Sequence, residues 1–151
     1  MTDWVPSLLT TAVAAFVAYV AWQQYRTAKS KLKLDLFDRR YKVWQALQDF
    51  LGVIIRDADL TDQDLRKFVI EAGDAEFLFK DDVPRYLNEV RGRAVKLRYW
   101  NEQYKSEFDP KPDGYNHAKV VDESHRELVW LTAQLEPSKN LFKKYMDLSK
   151  R

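Results

Sequence analysis

The chain holds no cysteine, and among its 151 residues there are only four glycines, two histidines and two methionines. Without thiols there is no disulfide framework and no cysteine-ligated metal centre, and the absence is compatible with a reducing compartment. Scarce glycine removes the loops that cradle phosphates, and neither G-x-S-x-G nor H-E-x-x-H occurs. An enzyme is therefore not expected, and neither is a cofactor. Little glycine together with 14% aromatic residues also argues against disorder.

Charge is missing in one place above all. From Trp4 to Tyr25 no ionisable acid or base interrupts the sequence, and a helix over that stretch would be roughly 33 Å long against a hydrocarbon core of about 30 Å. Val5, Leu8, Leu9, Val13, Phe16, Val17 and Val20 supply the apolar surface, diluted by alanines and by Ser7, Thr10 and Thr11. Trp4 stands at one end and Tyr19, Trp22 and Tyr25 at the other, where amphipathic rings prefer headgroups. Pro6 in the first turn lacks only a donor that a helix leaves unpaired anyway. The A-V-A tripeptide at Ala12 to Ala14 resembles a signal-peptidase site, but a basic n-region is missing, since Asp3 is the sole charged side chain before the apolar run. The expectation is a transmembrane anchor within residues 1–33.

Orientation follows from Arg26, Lys29, Lys31 and Lys33, a basic collar directly behind the span. Cations there stay on the cytoplasmic side, so the N-terminus faces outward and residues 34–151 form a cytoplasmic domain. The +2 net charge belongs to the collar, because the remaining sequence is balanced to within one charge. Such a balance leaves no electrostatic footprint for nucleic acid.

Hydrophobic spacing after the collar is helical throughout. Between Pro6 and Gly52 nothing breaks a helix, so the span is expected to continue unbroken to about Ile55, with Phe37, Trp44, Leu47, Leu51 and Ile54 in its stripe and Leu36, Val43 and Phe50 beside it. A second helix begins near Thr61, in a capping box closed by Asp64, and buries Leu65, Phe68, Val69 and Ala72 before Gly73. Phe77, Leu78 and Phe79 are expected to plug the core. Asp82 caps a long helix with Pro84 in its first turn and Val83, Leu87, Val90, Ala94, Leu97, Tyr104 and Phe108 inward. After a loop from Asp109 to Asn116, a helix from about His117 to Leu135 turns Val121, Leu128, Val129, Thr132 and Leu135 inward. Pro137 ends it, and Ser138 starts a terminal helix carrying Leu141, Phe142, Tyr145 and Met146. The expected fold is all-α: one N-terminal transmembrane helix continuing into an antiparallel bundle of four or five helices.

Three runs, K-L-K-L-D-L-F-D-R-R-Y-K-V-W from Lys31 to Trp44, A-E-F-L-F-K-D-D-V from Ala75 to Val83 and F-K-K-Y-M-D from Phe142 to Asp147, carry a resemblance. The chain resembles a set of uncharacterised bacterial proteins with an N-terminal span followed by a helical domain. That resemblance implies a bacterial inner-membrane location. It brings no known activity, and so no catalytic residue.

Candidate chemistry is sparse. Asp57, Asp59, Thr61, Asp62 and Asp64 imitate a calcium loop, yet the sixth position from Asp57 is Asp62 instead of glycine and the twelfth is Phe68 instead of glutamate. His117 and His125 are eight residues apart, about 12 Å along a helix, too far to share one ion. Glu71, Asp74 and Glu76 surround Gly73 and read as exposed charges at a helix end. No metal site is expected.

Two features have a physical mechanism. Arg26, Lys29, Lys31 and Lys33 attract anionic lipid headgroups as well as setting topology, each cation contributing roughly 1 kcal/mol near the surface. Thr10, Ala14 and Ala18 recur every four residues, a spacing that lets two spans approach closely. The leading expectation is a membrane-tethered interaction or scaffold module with a protein partner, a second copy of the chain being one candidate. The alternative is a stress or defence effector that perturbs the membrane through an oligomerising span.

Overall fold

The computed structural model describes residues 4–105 and 113–147, with side chains described from Thr10 onward. Among these residues the fold is all-helical: α1 (Trp4–Asp57), α2 (Asp62–Glu71), α3 (Ala75–Leu78), α4 (Asp82–Lys105), α5 (His117–Thr132) and α6 (Leu135–Met146). The chain divides into two compact units, Met1–Phe37 and Asp38–Arg151.

The first unit consists of the leading part of α1. Its hydroxyl residues fold back on the helix: Thr27 donates to the Gln23 carbonyl at 3.0 Å and Ser30 to the Arg26 carbonyl at 3.1 Å. From Thr10 to Tyr25 every side chain is exposed except the half-buried Val20. Among the described residues no helix is long and apolar enough to cross a membrane. The described side chains from Thr10 to Tyr25 cover about 24 Å of helix, less than the roughly 30 Å of a hydrocarbon core. Trp4, Val5, Leu8 and Leu9, which the expected span requires, lie outside the described side chains, so the transmembrane part of the expected fold is without structural support here.

The second unit is the bundle. Val43, Leu47, Phe50, Leu51 and Ile54 of α1 are at most 4% exposed and form one wall of its core. Phe50 stacks on Phe68 of α2 with centroids 4.3 Å apart. On α4 the expected stripe of Val83, Leu87, Val90, Ala94 and Leu97 is buried, while Tyr104 is exposed and Phe108 lies outside the described residues. Leu131 of α5 and Phe142 of α6 complete the core. Cross-links between helices fix their directions. Tyr86 meets Gln134, Arg93 meets Glu127 and Asn101 meets Ser124, so α5 runs antiparallel to α4. Arg40 meets Tyr145 and Gln48 meets Ser138, so α6 opposes α1.

Local chemistry sets the helix ends. Thr61 accepts the Asp64 N–H at 3.2 Å and its own N–H donates to the Asp64 carboxylate at 2.9 Å, the capping box expected from the sequence. At the far end of α1, Ala58 takes φ = 52°, a left-handed conformation usually given to glycine. Asn101 holds it there by donating to its carbonyl at 3.1 Å.

Four expectations need correction. Phe77 is 87% exposed; only Leu78 and Phe79 pack on the core, with Phe79 edge-on to Phe142 and Tyr145 at 5.2 Å. Leu36 and Val69 also face outward. On α5 the buried residues are Val120, Glu127 and Leu131, whereas Val121, Val129 and Leu135 are exposed. The helix is rotated because Glu127 and Ser124, polar residues, occupy inward positions where α4 supplies partners. Finally, Pro137 does not separate two helices. It sits in the first turn of α6, where its missing N–H costs nothing, and Ser138 is fully buried instead of serving as the cap.

Candidate functional site

The α4–α5 face carries a run of polar contacts. Arg93 reaches the Glu127 carboxylate at 3.2 Å and lies 4.3 Å from the Trp130 ring centroid. One turn further, Ser124 donates to Asn101 Oδ1 at 2.6 Å, while Asn101 Nδ2 donates to Asp59 at 2.9 Å. Lys105 Nζ also donates to Asp59. Burial pushes the Asp59 carboxyl up, but the hydrogen bonds from Asn101, Lys105 and the Leu60 N–H outweigh it and leave the group below its usual range. Among the described residues, no buried side-chain nitrogen or oxygen lacks a partner. These groups lock the loop after α1 onto α4 and α5.

The acids that imitate a calcium loop are dispersed. Asp57 pairs with Arg56 at 2.7 Å, Asp59 faces Asn101 and Lys105, Asp62 pairs with Arg98, and Asp64 closes the capping box. His117 opens α5 with Nδ1 3.1 Å from the Tyr115 hydroxyl, and His125 is exposed. Among the described residues no group of three or more metal-ligating side chains is assembled. Glu71, Asp74 and Glu76 are all exposed.

On the first unit, Arg26, Lys29, Lys31 and Lys33 project from α1 as exposed side chains, with the Arg26 guanidinium 4.9 Å from the Trp22 ring centroid. Thr10, Ala14 and Ala18 are exposed as well. Above the collar, Val13, Phe16 and Val17 are each about 60% exposed.

A feature absent from the sequence reading lies on the bundle between α2, α3 and α4. An open groove of about 170 Å³ has Phe68, Val69, Ala72 and Leu87 among its apolar lining and Glu76 and Arg91 among its polar lining. Gly73 belongs to it, and a Cβ there would come within 3.3 Å of the Ile70 and Val69 carbonyls, which keeps the turn after α2 tight. Of these helices, α2 exposes Ile70 (77%) and α3 exposes Phe77 (87%), the two most exposed large apolar side chains among the described residues of the bundle. The volume is smaller than the roughly 300–1,000 Å³ of small-molecule pockets.

No protein-family model, curated protein or solved structure matches the chain.

Proposed function

We propose that this protein is a membrane-tethered interaction module, in which the uncharged N-terminal segment holds it at the bacterial inner membrane and the bundle receives a protein partner on the cytoplasmic side. The observation that carries the partner role is the groove between α2, α3 and α4, with Ile70 and Phe77 exposed on the elements that form it. Exposed apolar side chains beside a concave surface mark interaction sites more often than isolated ones do. The tether rests on the uncharged stretch from Trp4 to Tyr25 and on Arg26, Lys29, Lys31 and Lys33, which would meet anionic headgroups.

The test is crosslinking of the full chain in native membranes, compared with an Ile70→Asp, Phe77→Asp variant. Both residues are exposed, so the variant should fold normally. A crosslinked partner lost in the variant supports the reading; equal recovery from both forms, or none from either, refutes docking on the face that Ile70 and Phe77 expose. A reporter active only outside the cytoplasm, fused after Arg151, should be silent, and activity there would overturn the orientation.

A further inference from the structure

We propose that Asp113 and Gly114, in the turn that leads into α5, form a site of spontaneous backbone isomerisation, at which the chain passes through a cyclic imide and re-emerges linked through the Asp113 side chain. The inference is independent of the tether and of the groove.

Sequence singles the pair out. Gly52, Gly73 and Gly92 follow Leu51, Ala72 and Arg91, so Asp113 is the one acidic or amide residue in the chain that a glycine follows. Ring closure requires the backbone nitrogen of the next residue to reach Cγ of the aspartate, and a side chain on that residue crowds the approach. Glycine has none. Both residues are exposed, and a Cβ built on Gly114 would meet nothing within 4 Å, so the space around the pair is open. Gly114 takes φ = 84°, a conformation that other residues adopt only under strain. The turn itself therefore demands the glycine that makes the pair reactive.

Water is the sole co-reactant. The Gly114 nitrogen bonds to Cγ of the Asp113 carboxyl in its acid form, and the amide proton and the carboxyl hydroxyl leave together as water, closing a five-membered ring. Water then adds to one of the ring carbonyls. Addition at Cγ restores aspartate. Addition at the main-chain carbonyl breaks its bond to the Gly114 nitrogen, leaving the chain running through Cγ and the main-chain carbon as a free carboxylate. Mass and net charge are the same before and after, so the change accumulates unseen by either.

Competing positions are held. Asp57 precedes Ala58, but its two carboxylate oxygens accept from Arg56 at 2.8 and 2.7 Å. Asp74 precedes Ala75, whose N–H already donates to the Ala72 carbonyl at 3.1 Å. Asp109 precedes Pro110, which has no amide N–H to lose. Asn116, whose amide would react by losing ammonia, accepts the Lys119 N–H at 3.0 Å, which fixes its side chain on the first turn of α5. The added backbone atom falls just before Tyr115, whose hydroxyl lies 3.1 Å from His117 Nδ1, at the approach to α5 and outside the core cluster.

The test is incubation of the folded full chain for several weeks at physiological temperature in water enriched in heavy oxygen, because each passage through the ring leaves one heavy oxygen at position 113. Trypsin then releases residues 106–119 as one peptide, since Lys111 is followed by Pro112. That peptide should carry the label on residue 113 and separate chromatographically into two forms of equal composition, at a rate within a few-fold of the same peptide incubated free. Peptides containing Asp57 or Asp74 should stay unlabelled, and so should Asn116. Asp113→Glu should abolish the uptake, because a six-membered ring closes far more slowly, and Asp113→Asn should speed it several-fold with loss of ammonia. Label in the free peptide but none in the folded chain, label spread evenly over other aspartates, or undiminished uptake in Asp113→Glu would each overturn the site.

Discussion

Arg93 and Glu127 pair at 3.2 Å across the α4–α5 interface, and the Glu127 side chain is only 6% exposed while Arg93 keeps 31%. Removing the arginine leaves a buried carboxylate without its counter-ion, whereas removing both charges leaves nothing to compensate. Arg93→Ala should therefore destabilise the bundle by about 2–3 kcal/mol, and Arg93→Met combined with Glu127→Leu should recover most of that loss. Urea unfolding of the full chain with each variant measures both.

The Tyr145 hydroxyl donates to the Asp82 carboxylate at 2.6 Å, joining the last turn of α6 to the first residue of α4. The bond holds the Asp82 carboxyl below its usual range and pushes the Tyr145 phenol above its own. Its contribution is thus present above the unfolded carboxyl value of about 4 and below the unfolded phenol value of about 10. It is lost as pH falls through the lowered Asp82 value or rises through the raised Tyr145 value. Tyr145→Phe should cost about 1 kcal/mol at neutral pH, given the solvent access of the pair, and the difference from the parent should shrink as acid protonates Asp82. Thermal unfolding across pH checks this.

Ala58 holds a left-handed conformation at φ = 52°. Glycine meets no Cβ penalty there, so Ala58→Gly should raise stability by about 0.5–1 kcal/mol, the reverse of the usual cost of glycine. A lowered midpoint in the same urea experiment would contradict this account of how α1 ends.

Thr61 satisfies the Asp64 N–H at the start of α2. Thr61→Ala should cost about 1 kcal/mol, and hydrogen exchange should accelerate in α2 before it does in α4.

What the sequence disclosed depended on how apolar each face is. The α4 stripe was legible because Val83, Leu87, Val90, Ala94 and Leu97 keep helical spacing without a polar interruption. The Thr61 capping box was legible because its chemistry is local. On α5 the reading failed, since Glu127 faces inward and a hydropathy pattern cannot see the arginine that accepts it there. Pro137 misled for a related reason: proline stops one helix and starts another equally well, and only the position of Gln134 and Leu135 distinguishes the two. The groove could not be read at all, because it is a gap between three elements.

The core cluster takes members from Val43 near its beginning to Phe142 near its end. During synthesis Leu47, Leu51 and Ile54 therefore emerge long before Phe142 of α6 can join the same cluster. At 5–20 residues per second that interval lasts roughly 5–20 s. Over those seconds the core stays incomplete and part of its apolar surface is uncovered, the kind of transient exposure that favours aggregation, and a translation pause before residue 142 would lengthen it.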